Sequence, residues 1–404
     1  CRRQRQMCIR DRLYLVTHTD SMLNYSHRDF TLWERVLTEP RVLIFYLKMI
    51  IMPSVQELGL YHDDFSLSHG LLSPFSTLPA ILAIAGLLTA GLLLRTLRPL
   101  VSLGILWFFT GHALESTILP LELAHEHRNY LADYGILLAA TCAVAQAPLK
   151  KLMPWISVPV PLLLILVFSY TTWLRSEQWS DNINHAIYEA RHHPQSHRAV
   201  FSAGRIHGRL ALEGRVESKA EAFRYLERSM QLDKTGVMSN VTLIKLSYLL
   251  DEPENPAWFD DMLDKLSRYP ISAADISSLQ VLSDCTEDIC RIEPERMEAL
   301  FAIVLQKPDA KLVSAYGYYT INTRGNFNKG LTLFRQAVEL NPREPQYRKN
   351  LINLLLYMQK FDEAEQELEA FRQADTYGNS RNFFDSVESE LNALQNGTIP
   401  SPNS

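Results

Sequence analysis

Apolar positions are spread unevenly along this chain. Apolar runs occupy Val42–Pro53, Leu78–Leu94, Leu100–Thr110, Tyr130–Pro148 and Met153–Leu174, whereas beyond Arg175 apolar residues recur at helical spacing among charged ones. Runs of roughly 20 residues with few charges predict membrane-spanning helices. Amphipathic 3.6-residue periodicity predicts helices that bury one face against a partner. The fold class read from this pattern is all-α: a polytopic transmembrane helical domain followed by a tetratricopeptide (TPR) α-solenoid.

Residues 1–12, CRRQRQMCIRDR, read as a non-native leader and are set aside; the chain is then expected to be an N-terminally truncated fragment. Residues 13–76 read as an extracytoplasmic segment. Within it, Val42–Pro53 is short for a span and contains Lys48, which predicts an interfacial helix, with a tilted span as the alternative. Residues 77–175 hold about four spans, the last kinked or late-starting because of Pro154, Pro159 and Pro161. Residues 176–392 form the repeat domain and residues 393–404 a disordered tail. With alternating spans, the connectors carrying Arg95/Arg98 and Lys150/Lys151 share one side, which the excess of positive charge marks as cytoplasmic. The HDD loop, the stretch Gly111–Leu131 and the repeats then share the opposite face.

The repeat signal is a 34-residue period. Phe327 corresponds to Phe361, Gly330 to Ala364 and Phe334 to Leu368, and Asn341-Pro342 closes one unit. Small residues let paired helices approach and the proline ends the unit, as in tetratricopeptide arrays. Weaker copies lie upstream, in AFRYLERSMQLDK and around Pro194 and Ala203-Gly204. Such an array has a concave face that binds a protein or peptide; a rigid cap or dimerisation surface is the alternative.

Candidate chemistry concentrates in Gly111–Leu131, GHALESTILPLELAHEHRNYL, which sets Glu115, Glu122, Glu126, His112, His125, His127 and Arg128 between two apolar runs. Ionisable groups beside apolar segments must be solvated, paired or occupied by a ligand. A second candidate is the loop with His62, Asp63 and Asp64, which can hold a metal or a cationic group; a solvated loop with helix-capping aspartates is the alternative. Cys285 and Cys290, in DCTEDIC, lack the partners of a zinc site, which leaves a disulfide or two partly buried thiols. No metal site is read. A net charge of -5 and a pI near 6.2 argue against a nucleic-acid partner.

WFFTGHALESTILPLELAHEHRNYLADYG, followed by RSEQWSDNINHAIYEARHHPQSHRA entering helical repeats, resembles the C-terminal part of the transmembrane and tetratricopeptide repeat-containing proteins, closest to bacterial relatives. FTLWERVLTEPRVLIFYLKMIIMP adds to the resemblance, which covers most of residues 28 to 230. The resemblance implies a membrane glycosyltransferase that uses a polyprenyl-phosphate-linked sugar, with Ser or Thr hydroxyls as acceptors. It implies a bacterial inner-membrane, multi-pass protein with the repeats in the periplasm, and the lipid bilayer, the lipid-linked sugar and a repeat-bound protein or peptide as partners. The family's catalytic carboxylate lies in a first extracytoplasmic loop with no counterpart here, so this chain alone is expected to be inactive.

In this reading Arg128 and His127 hold the donor phosphate, Glu126 orients one of them, and Tyr130 anchors or donates a hydrogen bond. Glu115, Glu122 and His125 lend support. A network of polar residues stitching helix ends together accounts for the same residues without a ligand. The competing functions are a non-enzymatic membrane-anchored scaffold of the cell envelope and an O-antigen ligase or polymerase.

Overall fold

The computed structural model describes residues 25, 28–146, 159–375 and 380–395. The expected leader 1–12, the Lys150–Lys151 connector and residues 396–404 of the expected tail lie outside them. The regular elements among the described residues are helical, so the protein is all-α. The chain divides into two compact units, ending and beginning at Asp233 and Lys234.

In the first unit, helices α1 (Leu32–Ile51), α2 (Thr77–Leu93) and α3 (Pro99–His112) precede a 3-10 turn (Glu126–Asn129) that leads into α4 (Tyr130–Gln146). Helices α5 (Pro159–Trp179), α6 (Asn182–His192), α7 (His197–Leu212) and α8 (Glu217–Leu232) complete it.

The transmembrane expectation is overturned, because no helix among the described residues is long and apolar enough to cross a membrane. α2, α3 and α4 have 17, 14 and 17 residues. At the α-helical rise these are about 26, 21 and 26 Å long, short of a hydrocarbon core of about 30 Å. α5 has 21 residues but ends in RSEQW, and α1 has 20 but carries Glu34, Arg35, Glu39, Arg41 and Lys48. The Leu100–Thr110 run does not extend into a span, because its helix, Pro99–His112, stops there and the motif stretch beyond it is mostly irregular. The multi-pass inner-membrane localisation falls with the spans.

α1 begins ten residues before Val42. Thr31 and Glu34 cap it reciprocally: the Thr31 amide donates to Glu34 Oε2 at 2.8 Å and the Glu34 amide to Thr31 Oγ1 at 3.3 Å. Its apolar side, Val42, Leu43, Tyr46, Met49 and Ile50, is buried in one core with Phe108, Leu123, Ala132 and Ile136. α3 and α4 cross at Gly104 and Gly135. A Cβ on Gly104 would stand 2.3 Å from the Gly135 carbonyl oxygen, so only glycine permits this approach.

The second unit contains α9 (Met238–Leu249), α10 (Pro256–Arg268), α11 (Ala273–Asp288), α12 (Pro294–Val304) and α13 (Ala310–Asn322), followed by α14 (Phe327–Leu340), α15 (Pro345–Tyr357), α16 (Phe361–Ala374) and α17 (Arg381–Gln395). Consecutive helices α13/α14 and α15/α16 pack as pairs. The residues matched at 34-residue spacing occupy equivalent buried positions: Gly330 and Phe334 on α14, Ala364 and Leu368 on α16. Gly317 on α13 makes room for Phe334, whose ring would lie 2.6 Å from a Cβ there. Cys285 and Cys290 are joined in a disulfide at the end of α11.

Candidate functional site

The motif stretch is held to α1 from beneath. Arg35, fully buried, donates to the carbonyls of Glu115 at 2.6 Å, Thr117 at 3.0 Å and Leu121 at 2.5 Å, and pairs with Glu39 at 2.7 Å. Tyr46 adds a second tie: its hydroxyl accepts from the His125 amide at 2.7 Å, and its ring stacks on His112 with centroids 5.1 Å apart. His112 in turn faces Asn129 Oδ1 at 3.2 Å. These bonds satisfy loop carbonyls that no helix or strand ladder would satisfy.

Above this support lies a cleft of 410 Å³. Its walls are Met49 and Ile50 of α1, the loop Leu58–Leu60, His125, Glu126 and His127 of the motif, Asn129, Tyr130 and Asp133 at the start of α4, and Trp179 at the end of α5. Glu126 is paired with Arg175, whose Nη2 donates to Glu126 Oε2 at 2.8 Å. His62 Nε2 stands 3.9 Å from Glu126 Oε1. Burial pushes the Glu126 carboxyl up to about 7 against the pull of Arg175, and the negative charge of Glu189 adds to the rise. Burial likewise pushes Asp133 up to about 6. Two carboxyls whose protons exchange near neutrality, in one apolar-walled cleft, are suited to hydrogen-bonding or deprotonating hydroxyl groups.

Arg128, expected to hold the donor phosphate, is engaged within the motif. Its Nε lies 3.2 Å from Glu115 Oε2, its Nη1 donates to the Glu122 carbonyl, and its side chain is 11% exposed. The guanidinium therefore closes the motif loop on itself and is not among the residues lining the cleft. Glu126 pairs with Arg175 and not with Arg128 or His127. His127 does line the cleft, its ring 4.0 Å from that of His125, and Tyr130 stands at the rim, 86% exposed. Glu122 is bound by Arg198; burial raises its carboxyl, but that bond and charge more than offset the rise and hold it below the usual range.

The HDD loop is not a free solvated loop. Asp63 accepts from the Ser196 hydroxyl at 2.5 Å and lies 3.5 Å from His197 Nε2, and Asp64 faces His193 Nδ1 at 3.1 Å. The Asp64 hydrogen bond raises the His193 pKa despite burial. His62, buried behind Phe45 and His193, is driven down to about 4, first by burial and then by His193. The loop, the motif and the α6–α7 junction thus meet by direct packing, not by sharing a bilayer face. Among the described residues no three His, Cys, Asp or Glu side chains are grouped to hold a metal ion.

Sequence reasoning missed Arg175, Glu189, Arg198 and the Arg35–Glu39 pair. Arg35 and Glu39 do carry a local signal, opposite charges four residues apart on a helix. Arg175 and Glu189 carry none, since their partners lie 49 and 129 residues away.

Comparison with protein-family models, with curated proteins and with solved structures gives no match to this chain.

Proposed function

We propose that this chain takes part in glycosyl transfer from a polyprenyl-phosphate-linked sugar to a hydroxyl acceptor, with the cleft around Glu126 and Asp133 receiving hydroxyl-bearing sugar or acceptor, and with the second unit acting as a tetratricopeptide array for a protein or peptide partner. The observation that carries this reading is the pair of carboxyls with near-neutral protons beside His127, Tyr130 and Asn129, a donor and acceptor set suited to sugar hydroxyls. In the reaction the bond between the anomeric carbon and the phosphate oxygen breaks, a bond from that carbon to the acceptor oxygen forms, and the polyprenyl phosphate leaves. Glu126 takes the acceptor's hydroxyl proton.

The motif resemblance supports the donor and acceptor classes, and the helix-pair packing of the second unit supports the array; the role of Glu126 rests on the cleft alone. The test titrates the purified chain with methyl glycosides and with a short polyprenyl phosphate, following Trp179 fluorescence against a W179F control. Saturable sugar binding that weakens at least tenfold in E126Q is expected. The absence of a saturable response to any glycoside would remove the cleft from the proposal.

One observation favours a second reading, a non-enzymatic scaffold. Arg128, Glu115, Glu122, Asp63 and Asp64 are all engaged in internal pairs. Under that reading glycosides do not bind and E126Q changes only stability.

A further inference from the structure

Glu189 on α6 is 1% exposed and lies outside the Gly111–Leu131 stretch, yet it reaches the cleft by two routes. Its Oε2 accepts the Leu60 amide at 2.8 Å, and Leu60 is part of the cleft wall. Its Oε1 lies 4.0 Å from Arg175 Nη1, while the other terminal nitrogen of Arg175 is bonded to Glu126. Arg175 is also fixed by the Leu58 carbonyl and by Gln178 Oε1 at 3.1 Å. Gly59 lies between these bonds, and a Cβ there would stand 3.0 Å from Glu189 Oε2 and 2.7 Å from His193 Nε2.

We propose that Glu189 is the positioning residue of the cleft: through the Leu60 amide it fastens the wall, and through Arg175 it fixes the geometry and the charge that Glu126 meets. The inference rests on the reading of Glu126 as the proton acceptor. A neutral amide at position 189 would keep the acceptor for Leu60 but remove a negative charge on the far side of Arg175. The groups facing Glu126 are Arg175 from α5, Glu189 from α6, His62 from the loop with His193 and Asp64 behind it, His125 and His127 on its own turn, and Asp133 from α4. Arg175 likewise joins a wall bond, to the Leu58 carbonyl, to the charge at Glu126; Glu189 is the group that meets both the wall, at Leu60, and Arg175 itself.

The test follows the Glu126 carboxyl carbon by NMR from acid to alkaline pH in the wild type, E189Q, E189A and R175Q, with no sugar present. In E189Q the Glu126 midpoint falls by about half a pH unit or more, because a like charge is gone. In R175Q it rises. In E189A it falls as in E189Q, and the Leu60 amide exchanges at least about tenfold faster than in E189Q, which retains an acceptor. An unchanged Glu126 midpoint in E189Q overturns the proposal. Should E189Q or E189A fail to fold, the wild type still decides: a Leu60 amide that exchanges no more slowly than Tyr61 overturns it. Because these readouts need no ligand, a midpoint that moves while glycosides do not bind refutes the sugar reading and keeps the positioning role.

Discussion

Arg35 Nη2 and Glu39 Oε1 stand 2.7 Å apart, one turn of α1 separating two side chains that are 0% and 4% exposed. The pair is the anchor of the motif stretch, since the same guanidinium holds three of its carbonyls. Removing one partner of a buried ion pair leaves a charge uncompensated, which costs about 3–5 kcal/mol. R35A is therefore expected to lower stability by about that amount, and the double variant R35M/E39M by less. Urea denaturation of both variants checks this; an R35A loss below about 1 kcal/mol would contradict the anchoring role.

Under the proposed function, Arg128 has a structural role in the motif and Glu126 a chemical one. R128A removes the Glu115 pair and a bond to the Glu122 carbonyl, a loss of about 1–2 kcal/mol. Glycoside affinity should stay within about threefold of wild type, a change worth less than about 0.7 kcal/mol. E126Q should do the reverse, weakening binding while leaving the loop closed. A binding loss in R128A equal to that in E126Q would return Arg128 to the site.

His62 and Glu126 give pH dependences of opposite sign. His62, depressed to about 4 by burial and then by His193, binds fewer protons folded than unfolded between about 4 and 6.5. Its contribution to stability is thus present above its ordinary value and lost as pH falls through that window. Glu126, raised to about 7 chiefly by burial, keeps a proton in the folded state that the unfolded chain gives up near 4.5. Its contribution is present at low pH and lost as pH rises toward 7. Urea melts from pH 4 to 8 should show a shallower acid-side loss in H62Q and a shallower alkaline-side loss in E126Q. An H62Q profile parallel to wild type below pH 6.5 would count against a buried neutral His62.

The disulfide between Cys285 and Cys290 closes a short loop, with a sequence separation of 5. Cross-linking so short a loop contributes about 2 kcal/mol by restricting the unfolded chain. Reduction, or the double variant C285S/C290S, should lower the stability of the second unit by that amount. Equal stability with and without reductant would mean that the bond adds nothing in solution.

Asp63 and Asp64 hold their loop to the α6–α7 junction through Ser196, His197 and His193. In D63N/D64N, amides of residues 60 to 68 should exchange about tenfold or more faster, and the His193 pKa should fall toward its ordinary value. Unchanged exchange would mean that backbone packing, and not these carboxylates, secures the loop.

Much of this protein was determined by local sequence. The 34-residue match placed Gly330 and Ala364, and Phe334 and Leu368, at equivalent positions, because helix pairing needs small and large residues at fixed spacing. Thr31 and Glu34 capped α1, and Cys285 and Cys290 were close enough in sequence to suggest their bond. The density of ionisable groups in Gly111–Leu131 marked a stretch whose His125, Glu126 and His127 line a cleft.

Only the tertiary structure decided which partners those groups have. Apolarity alone made α2 to α5 read as spans, but helix length is set by where the backbone turns, and those turns leave each helix too short or too polar to cross a membrane. Charge alone singled out Arg128 as a cation, and packing put Glu115 and the Glu122 carbonyl beside it. Glu126 acquired its partners, Arg175 and His62, from segments distant in sequence. Pairings of that kind depend on which helices pack together, and residue spacing along the chain carries no record of them.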